Sequence, residues 1–134
     1  MPRVLVRRDV LDQIARHARD EAPNECCGLL IGTAESVRCA RRARNVHASR
    51  TRFLIDPEDH FAALRQARAR AEEVVGAYHS HPASAPVPSA TDVADANDPR
   101  LIHLIVSLED DVENIRAFRY LDGNFEPLEL VSVE

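Results

Sequence analysis

Lysine is absent from this sequence. All 17 basic residues are arginine, a bias that reads as genome composition rather than function. Cysteine is scarce: three residues, two of them adjacent, make a poor disulfide framework and point to a reducing compartment, the cytoplasm. No apolar run approaches the roughly 20 residues that would span a membrane. Val4-Leu5-Val6, followed at once by Arg7-Arg8-Asp9, is too short for a signal-peptide core. There is no surplus of positive charge either, and a net charge of -5 argues against nucleic acid as the main partner. No repeat, low-complexity stretch or linker divides the chain, so one domain over residues 1–134 is expected. What remains is ordinary globular material: 45% hydrophobic and 29% charged residues, enough for a real core.

Periodicity outlines a mixed α/β fold. Residues 3–7 alternate weakly and predict a first strand. Asp9 then reads as an N-cap for a helix whose apolar stripe is Val10, Leu11, Ile14, Ala15 and Ala18, broken by Ala22-Pro23-Asn24. Cys26 to Ile31, with Gly28 and Gly32, predicts a buried strand. Residues 36–46 and the short Arg52-Phe53-Leu54-Ile55 follow as further strands. Asp56-Pro57-Glu58-Asp59 is a strong helix start, with a capping acid, a proline at the first position and acids in the first turn; the helix should reach about Glu73. Val74 to Tyr78 predicts a buried strand, Ser89 to Asn97 a short helix, and 101–108, 115–121 and 125–133 three closing strands. Asp122-Gly123 is a hairpin turn between the last two.

The chemistry concentrates in His79-Ser80-His81-Pro82, six residues, then Ser89-Ala90-Thr91-Asp92. On a strand, positions i and i+2 share a face, so His79 and His81 aim at one point while Ser80 turns away. Pro82 has no N–H for a ladder and ends the strand. Pro82, Pro86 and Pro88 stiffen the loop that leads to Ser89. Two imidazoles and a carboxylate suit a catalytic zinc, which takes three protein ligands and leaves a position for water. Such an ion brings the water's pKa toward about 7. Ser89-x-x-Asp92 is also a helix capping box, and the two readings are compatible. A hydrolase further needs a proton carrier. Glu25, placed just before a buried strand, is the candidate; its plain alternative is a solvated loop acid like its neighbours Asp20 and Glu21.

His79-x-His81-Pro82-x6-Ser89-x-x-Asp92, with Glu25 ahead of Gly28-Leu29-Leu30-Ile31-Gly32, resembles the JAMM (MPN+) metalloproteases over nearly the whole chain. The resemblance implies a Zn2+ held by His79, His81 and Asp92, Glu25 as general base, and Ser89 stabilising the tetrahedral oxyanion. It implies the family's α/β fold, a curved mixed central sheet flanked by helices and related in architecture to the cytidine deaminases. The short chain looks most like the bacterial members that cleave after the C-terminal Gly-Gly of ubiquitin-like sulfur-carrier proteins, releasing cysteine or a short tail. It lacks room for the long insertions by which eukaryotic deubiquitinases grip two ubiquitins. A glycine tail could lie as an added strand beside a sheet edge.

Rival readings are an isopeptidase on another ubiquitin-like conjugate, an inactive MPN-type scaffold, a zinc nucleobase deaminase and a redox protein. Scaffolds typically lose ligands, and every motif residue is present here. A deaminase needs His-x-Glu with Pro-Cys-x-x-Cys, which the chain lacks. Cys26-Cys27 lacks the Cys-x-x-Cys redox spacing; Cys27 reads as a small buried hydrophobe and Cys26 as a packing or weakly reactive thiol. His17, His47, His60 and His103 read as core or surface residues. Arg38, Arg41, Arg42, Arg44, Arg50 and Arg52 form a basic cluster, either a solvated surface or a docking patch for an acidic partner.

Overall fold

Valines and leucines at alternate positions need a sheet to bury them, and the described residues supply seven strands for it. A computed structural model describes residues 2–95, 100–109 and 114–134. In order they form β1 (Arg3–Arg7), α1 (Arg8–Glu21), β2 (Cys27–Thr33), β3 (Ser36–Ala43), α2 (Pro57–Ala69), β4 (Glu73–His81), α3 (Ala90–Asp95), β5 (Ile102–Ser107), β6 (Asn114–Leu121) and β7 (Asn124–Val133). The strands are ordered β1-β3-β2-β4-β5-β6-β7, and β1 pairs in parallel with both β3 and β7, so the curved sheet closes on itself. The β4–β5 pair is also parallel, and the remaining neighbours are antiparallel. No helix among the described residues is long and apolar enough to cross a membrane.

Two hydrophobic clusters lie on opposite faces of β2, as the two-residue period of a strand requires. Cys26 and Leu30 join Val4, Val6, Tyr78 and the α1 stripe of Val10, Ile14 and Ala18. Leu29 and Ile31 pack instead under Ala63 and Ala67 of α2. The register carries this division into β4. Gly28 lies opposite Tyr78, on the α1 side, and Cys27 lies opposite His79, on the α2 side. Gly28 has to be glycine, because a Cβ there would run into the buried Tyr78 ring. Gly76 is constrained harder still, by the backbone carbonyl of Ile102.

Several boundaries differ from expectation. Asp9 is not the cap of α1: Arg7 holds that position without a side-chain cap bond, and Asp9 sits in the first turn, 3.1 Å from Arg7 Nε. Strand and helix abut here, leaving no separate capping residue. At α2 the expected cap is correct, with Asp56 Oδ1 accepting the Glu58 N–H at 2.9 Å. That helix stops at Ala69 rather than near Glu73, because Ala71 takes φ 55 and Glu72 turns back to pair with Arg70 at 2.8 Å. Arg52–Ile55 is not a full strand; one antiparallel bridge, Asn45 to Ile55, holds it. The last two residues of the helix expected over Ser89–Asn97 lie outside the described residues. At the final hairpin Asp122 (φ 50) and Gly123 (φ 85) both adopt the positive φ of a type I′ turn.

Candidate metal centre

Strand β4 carries the two histidines on the α2 side of the sheet, and the proline loop brings α3 up to meet them. His79 Nε2 and His81 Nε2 are 3.2 Å apart. Asp92 Oδ2 lies 3.2 Å from the first and 3.1 Å from the second. Ligands bound at about 2.0–2.1 Å to a tetrahedral ion stand roughly 3.3–3.4 Å from one another. The three atoms therefore already have nearly the spacing that one small cation requires. Among the described residues, these three form the cluster that could hold a metal.

Each ligand is held by a neighbour. The Nδ1 of His81 lies 2.8 Å from the Ala85 carbonyl, which fixes the proton on Nδ1 and leaves Nε2 its lone pair. The loop offering that carbonyl is itself pinned by the Ser107 hydroxyl, which donates to the Ser84 carbonyl at 2.6 Å. His79 is stacked on Phe53, with ring centroids 4.4 Å apart and planes inclined by 19°. Asp92 is held by a reciprocal box: Ser89 N–H donates to Oδ2 at 2.8 Å, and Asp92 N–H donates to Ser89 Oγ at 3.0 Å. The capping box and the metal motif are thus one structure. Ser89 Oγ acts here as an acceptor, which leaves its hydroxyl proton for another group.

The electrostatics fit a cation. Burial lowers the His79 pKa, so its ring is neutral and its nitrogen free to bind. For His81 burial also acts downward, but the Asp92 hydrogen bond, the Ala85 carbonyl and the Asp92 and Glu25 charges outweigh it and raise the pKa. Burial opposes ionisation of Asp92, yet bonds from both histidines and the Ser89 N–H hold its carboxyl well below the usual range.

Glu25 is buried at 4% exposure, and its Oε1 has no hydrogen-bond partner. Burial pushes its carboxyl up to about 7; His81 pulls it down and the Asp92 charge pushes it further up. A buried oxygen without a donor is expensive unless a ligand or water supplies one. That orphan lies within electrostatic reach of two of the three candidate ligands, His81 and Asp92.

His79 and Asp92 open into a cavity of about 490 Å³ whose apolar wall includes Phe53, Ile55, Ile105 and Phe125. Glu25 borders a smaller recess of about 260 Å³, shared with Asn45 and Val46. His47, His60 and His103 line the larger cavity and are not part of the ligand cluster. His17 is a core residue, its Nδ1 2.7 Å from Tyr78 Oη. Cys26 and Cys27 are buried, and that burial pushes their thiols up to about 11 and about 12, which disfavours the thiolate.

The basic cluster is largely answered within the chain. Arg38 pairs with Glu72 at 3.4 Å, Arg42 with Asp20 at 3.0 Å and Arg44 with Asp56 at 3.2 Å, while Arg41 bonds Gln66 at 3.1 Å. Only Arg52 of the six lines the larger cavity. Although the sheet closes, β1 covers only Ser36 and Val37 of β3, which leaves the rest of that strand's outer side without a partner strand among the described residues. Beyond the end of β3, the 52–55 segment lies at the cavity. There Leu54 and Asp56 bond back to Val46 and Arg44, so alternation turns the main-chain groups of Phe53 and Ile55 away from β3. Sequence reasoning gave no role to Phe53 or Asn45; both are placed by contacts remote in sequence, and nothing local marks them.

Residues 7–121 match the family model of prokaryotic homologs of the JAB domain. A desampylase from Haloferax volcanii is 40% identical over 112 residues, covering 78% of this chain and 81% of that protein. A CysO-cysteine peptidase from Mycobacterium tuberculosis is 32% identical over 123 residues, covering 90% and 84%. The solution structure of a Desulfitobacterium hafniense protein superposes with TM-score 0.89 at 30% identity, covering 98% of this chain and 93% of the other. A JAB1/MPN domain protein from Archaeoglobus fulgidus shares the fold at TM-score 0.64 and 22% identity, covering 98% and 97%. The chain belongs to the prokaryotic JAB-domain family, the small JAMM group, and is a hydrolase of that type.

Proposed function

We propose that this family member is a zinc-dependent peptidase, a single domain over residues 1–134. Its substrate would be a ubiquitin-like sulfur-carrier protein, cut after the C-terminal Gly-Gly to release cysteine or a short tail. The observation that carries this reading is the triangle of His79 Nε2, His81 Nε2 and Asp92 Oδ2, with edges of 3.1–3.2 Å, beside a buried carboxylate with an unsatisfied oxygen. Zinc, when bound, supplies a water activated for attack near neutral pH. Glu25 takes the proton of that attacking water and returns it to the leaving amine. The Ser89 hydroxyl donates to the carbonyl oxygen as negative charge develops there. Three cysteines without a disulfide agree with action in the cytoplasm.

The tail would lie along the outward main chain of Phe53 and Ile55, which supports binding by main-chain bonds rather than by side-chain identity. Glycines suit that route because the Phe53 ring, stacked on His79, narrows the approach to the ligands. A second reading, an isopeptidase on a ubiquitin-like conjugate, is favoured by the 40% identity with a protein named desampylase. Incubating the enzyme with carriers ending in Gly-Gly-Cys or Gly-Gly plus a short tail, alongside lysine-linked conjugates, and following intact mass separates the two. Cleavage confined to isopeptide conjugates would overturn the carrier assignment; no cleavage of either, with metal bound, would favour the inactive scaffold.

A further inference from the structure

The side chain of Asn45 uses every hydrogen-bonding site it has. Its Nδ2 donates to the Glu25 carbonyl at 3.1 Å and to the Arg52 carbonyl at 3.0 Å. Its Oδ1 accepts the His47 N–H at 3.1 Å and the Leu54 N–H at 3.0 Å. A primary amide offers two donors and two acceptor lone pairs, so the group is fully engaged. Its orientation is unambiguous as well: flipped, the oxygen would face two carbonyls and the nitrogen two N–H groups.

These partners are not a random set. One is the residue with the orphaned carboxyl oxygen, and two flank Phe53, the ring stacked on His79. The Glu25 N–H also bonds the Ser49 carbonyl at 2.8 Å, within the loop that Asn45 begins. No regular ladder joins Glu25 to the 52–55 segment, since β2 starts at Cys27 and the segment has only the Asn45–Ile55 bridge. The Asn45 amide therefore bonds directly to both the proton carrier's main chain and the two residues that flank Phe53, with the Glu25–Ser49 bond as the other tie to this loop.

We propose that Asn45 is a positioning residue that fixes Glu25 and the Phe53 segment as one unit, so that base and substrate edge keep their spacing. The proposal rests on the peptidase reading. It concerns main-chain positions of Glu25 and Phe53 and leaves the metal ligands untouched. Asn45→Asp separates its two halves. The carboxylate keeps both acceptor bonds to the 47–54 loop, but loses both donor bonds and sets an oxygen against the Glu25 and Arg52 carbonyls. A role confined to shaping the loop would survive that change.

The test is a double-mutant cycle on the zinc-loaded protein with a Gly-Gly-tailed carrier as substrate. Asn45→Asp should lower kcat by about 10- to 100-fold with zinc content unchanged, a loss typical of a small misplacement of a reacting group. In a Glu25→Gln background the same substitution should lower kcat little further, because the group it positions is already disabled. Equal losses in both backgrounds, or full activity in the single variant, would overturn the proposal. If the added charge unfolds the chain, Asn45→Ala carries the same cycle. A wild-type enzyme that cleaves no carrier defeats the carrier reading alone. The positioning claim is then read by amide hydrogen exchange: Asn45→Asp should loosen the backbone at 25–26 while the His47 and Leu54 amides stay protected. Unchanged exchange at 25–26 would sink it.

Discussion

Ser80 is bonded twice to Cys26: its backbone N–H donates to the Cys26 carbonyl at 3.1 Å, and its hydroxyl accepts the Cys26 N–H at 2.7 Å. A regular ladder would have used the Ser80 carbonyl for the second bond. The residue between the two candidate ligands thus holds the residue after Glu25. Ser80→Ala should leave a buried N–H unsatisfied and cost about 1–3 kcal/mol, read as a lower Tm or denaturation midpoint. Zinc content should not change. A variant as stable as wild type would show that the hydroxyl is replaceable, by water for instance.

Glu25→Gln keeps the shape of the carboxyl and removes its ability to carry a proton. Zinc should remain bound while kcat falls about 100-fold or more, measured by intact-mass cleavage assays. Retained turnover would remove Glu25 as the base. In metal-stripped protein the same residue gives a pH signature. Its carboxyl, raised by burial from 4.5 to about 7, holds its proton more tightly folded than unfolded. Its stabilisation is complete below the unfolded value and is lost as pH rises through about 7. Thermal scans of wild type and Glu25→Gln across that interval should diverge, with wild type showing the steeper decline.

His17 titrates with the opposite sign. Burial and the Arg42 charge push its pKa from 6.5 down to about 4 against a smaller pull from Asp20, so the folded state holds the neutral ring. Burial also raises the Tyr78 hydroxyl, which stays protonated and shares a 2.7 Å hydrogen bond with Nδ1. The stability His17 contributes is present above the unfolded 6.5 and is lost as pH falls through about 4. Tyr78→Phe should leave Nδ1 without its partner and cost about 1–3 kcal/mol at neutral pH. Chemical denaturation at several pH values checks both claims; an unchanged midpoint in the variant would refute the pair's role.

Asp92 and Ser89 should separate metal binding from helix capping. Asp92→Ala removes a proposed ligand and should yield protein largely free of zinc by elemental analysis. Ser89→Ala loses the bond to the Asp92 N–H, a cap worth about 0.5–2 kcal/mol. It should retain most zinc, since Oδ2 keeps the Ser89 backbone N–H. If Ser89 also steadies the oxyanion, kcat should fall by more than the lost capping accounts for, about 100-fold or more. Full kcat in Ser89→Ala would restrict the residue to its capping role.

Most of the element order was legible because burial writes a period into the residues. The α1 stripe, the β2 and β4 runs and the Asp56-Pro57 helix start all reflect contacts within a few residues, so they survive without the rest of the fold. Boundaries were less legible. Asp9 offers the right side chain for a cap, but β1 runs directly into α1 and leaves it inside the first turn. Residues 52–55 look like a strand by composition, yet their partner strand ends at Ala43 and only one bridge forms.

For the candidate site, the strand period alone put His79 and His81 on one face and turned Ser80 from it, since alternation is a property of the backbone. The spacing to Asp92 likewise carried the capping box within itself. Tertiary structure decided what no period encodes. The β2–β4 pairing brought Glu25 within electrostatic reach of the ligands, and the bridge to Asn45 set Phe53 over His79. Those placements depend on pairings between residues tens of positions apart. Local sequence specifies the groups, and long-range packing sets the distances at which they act.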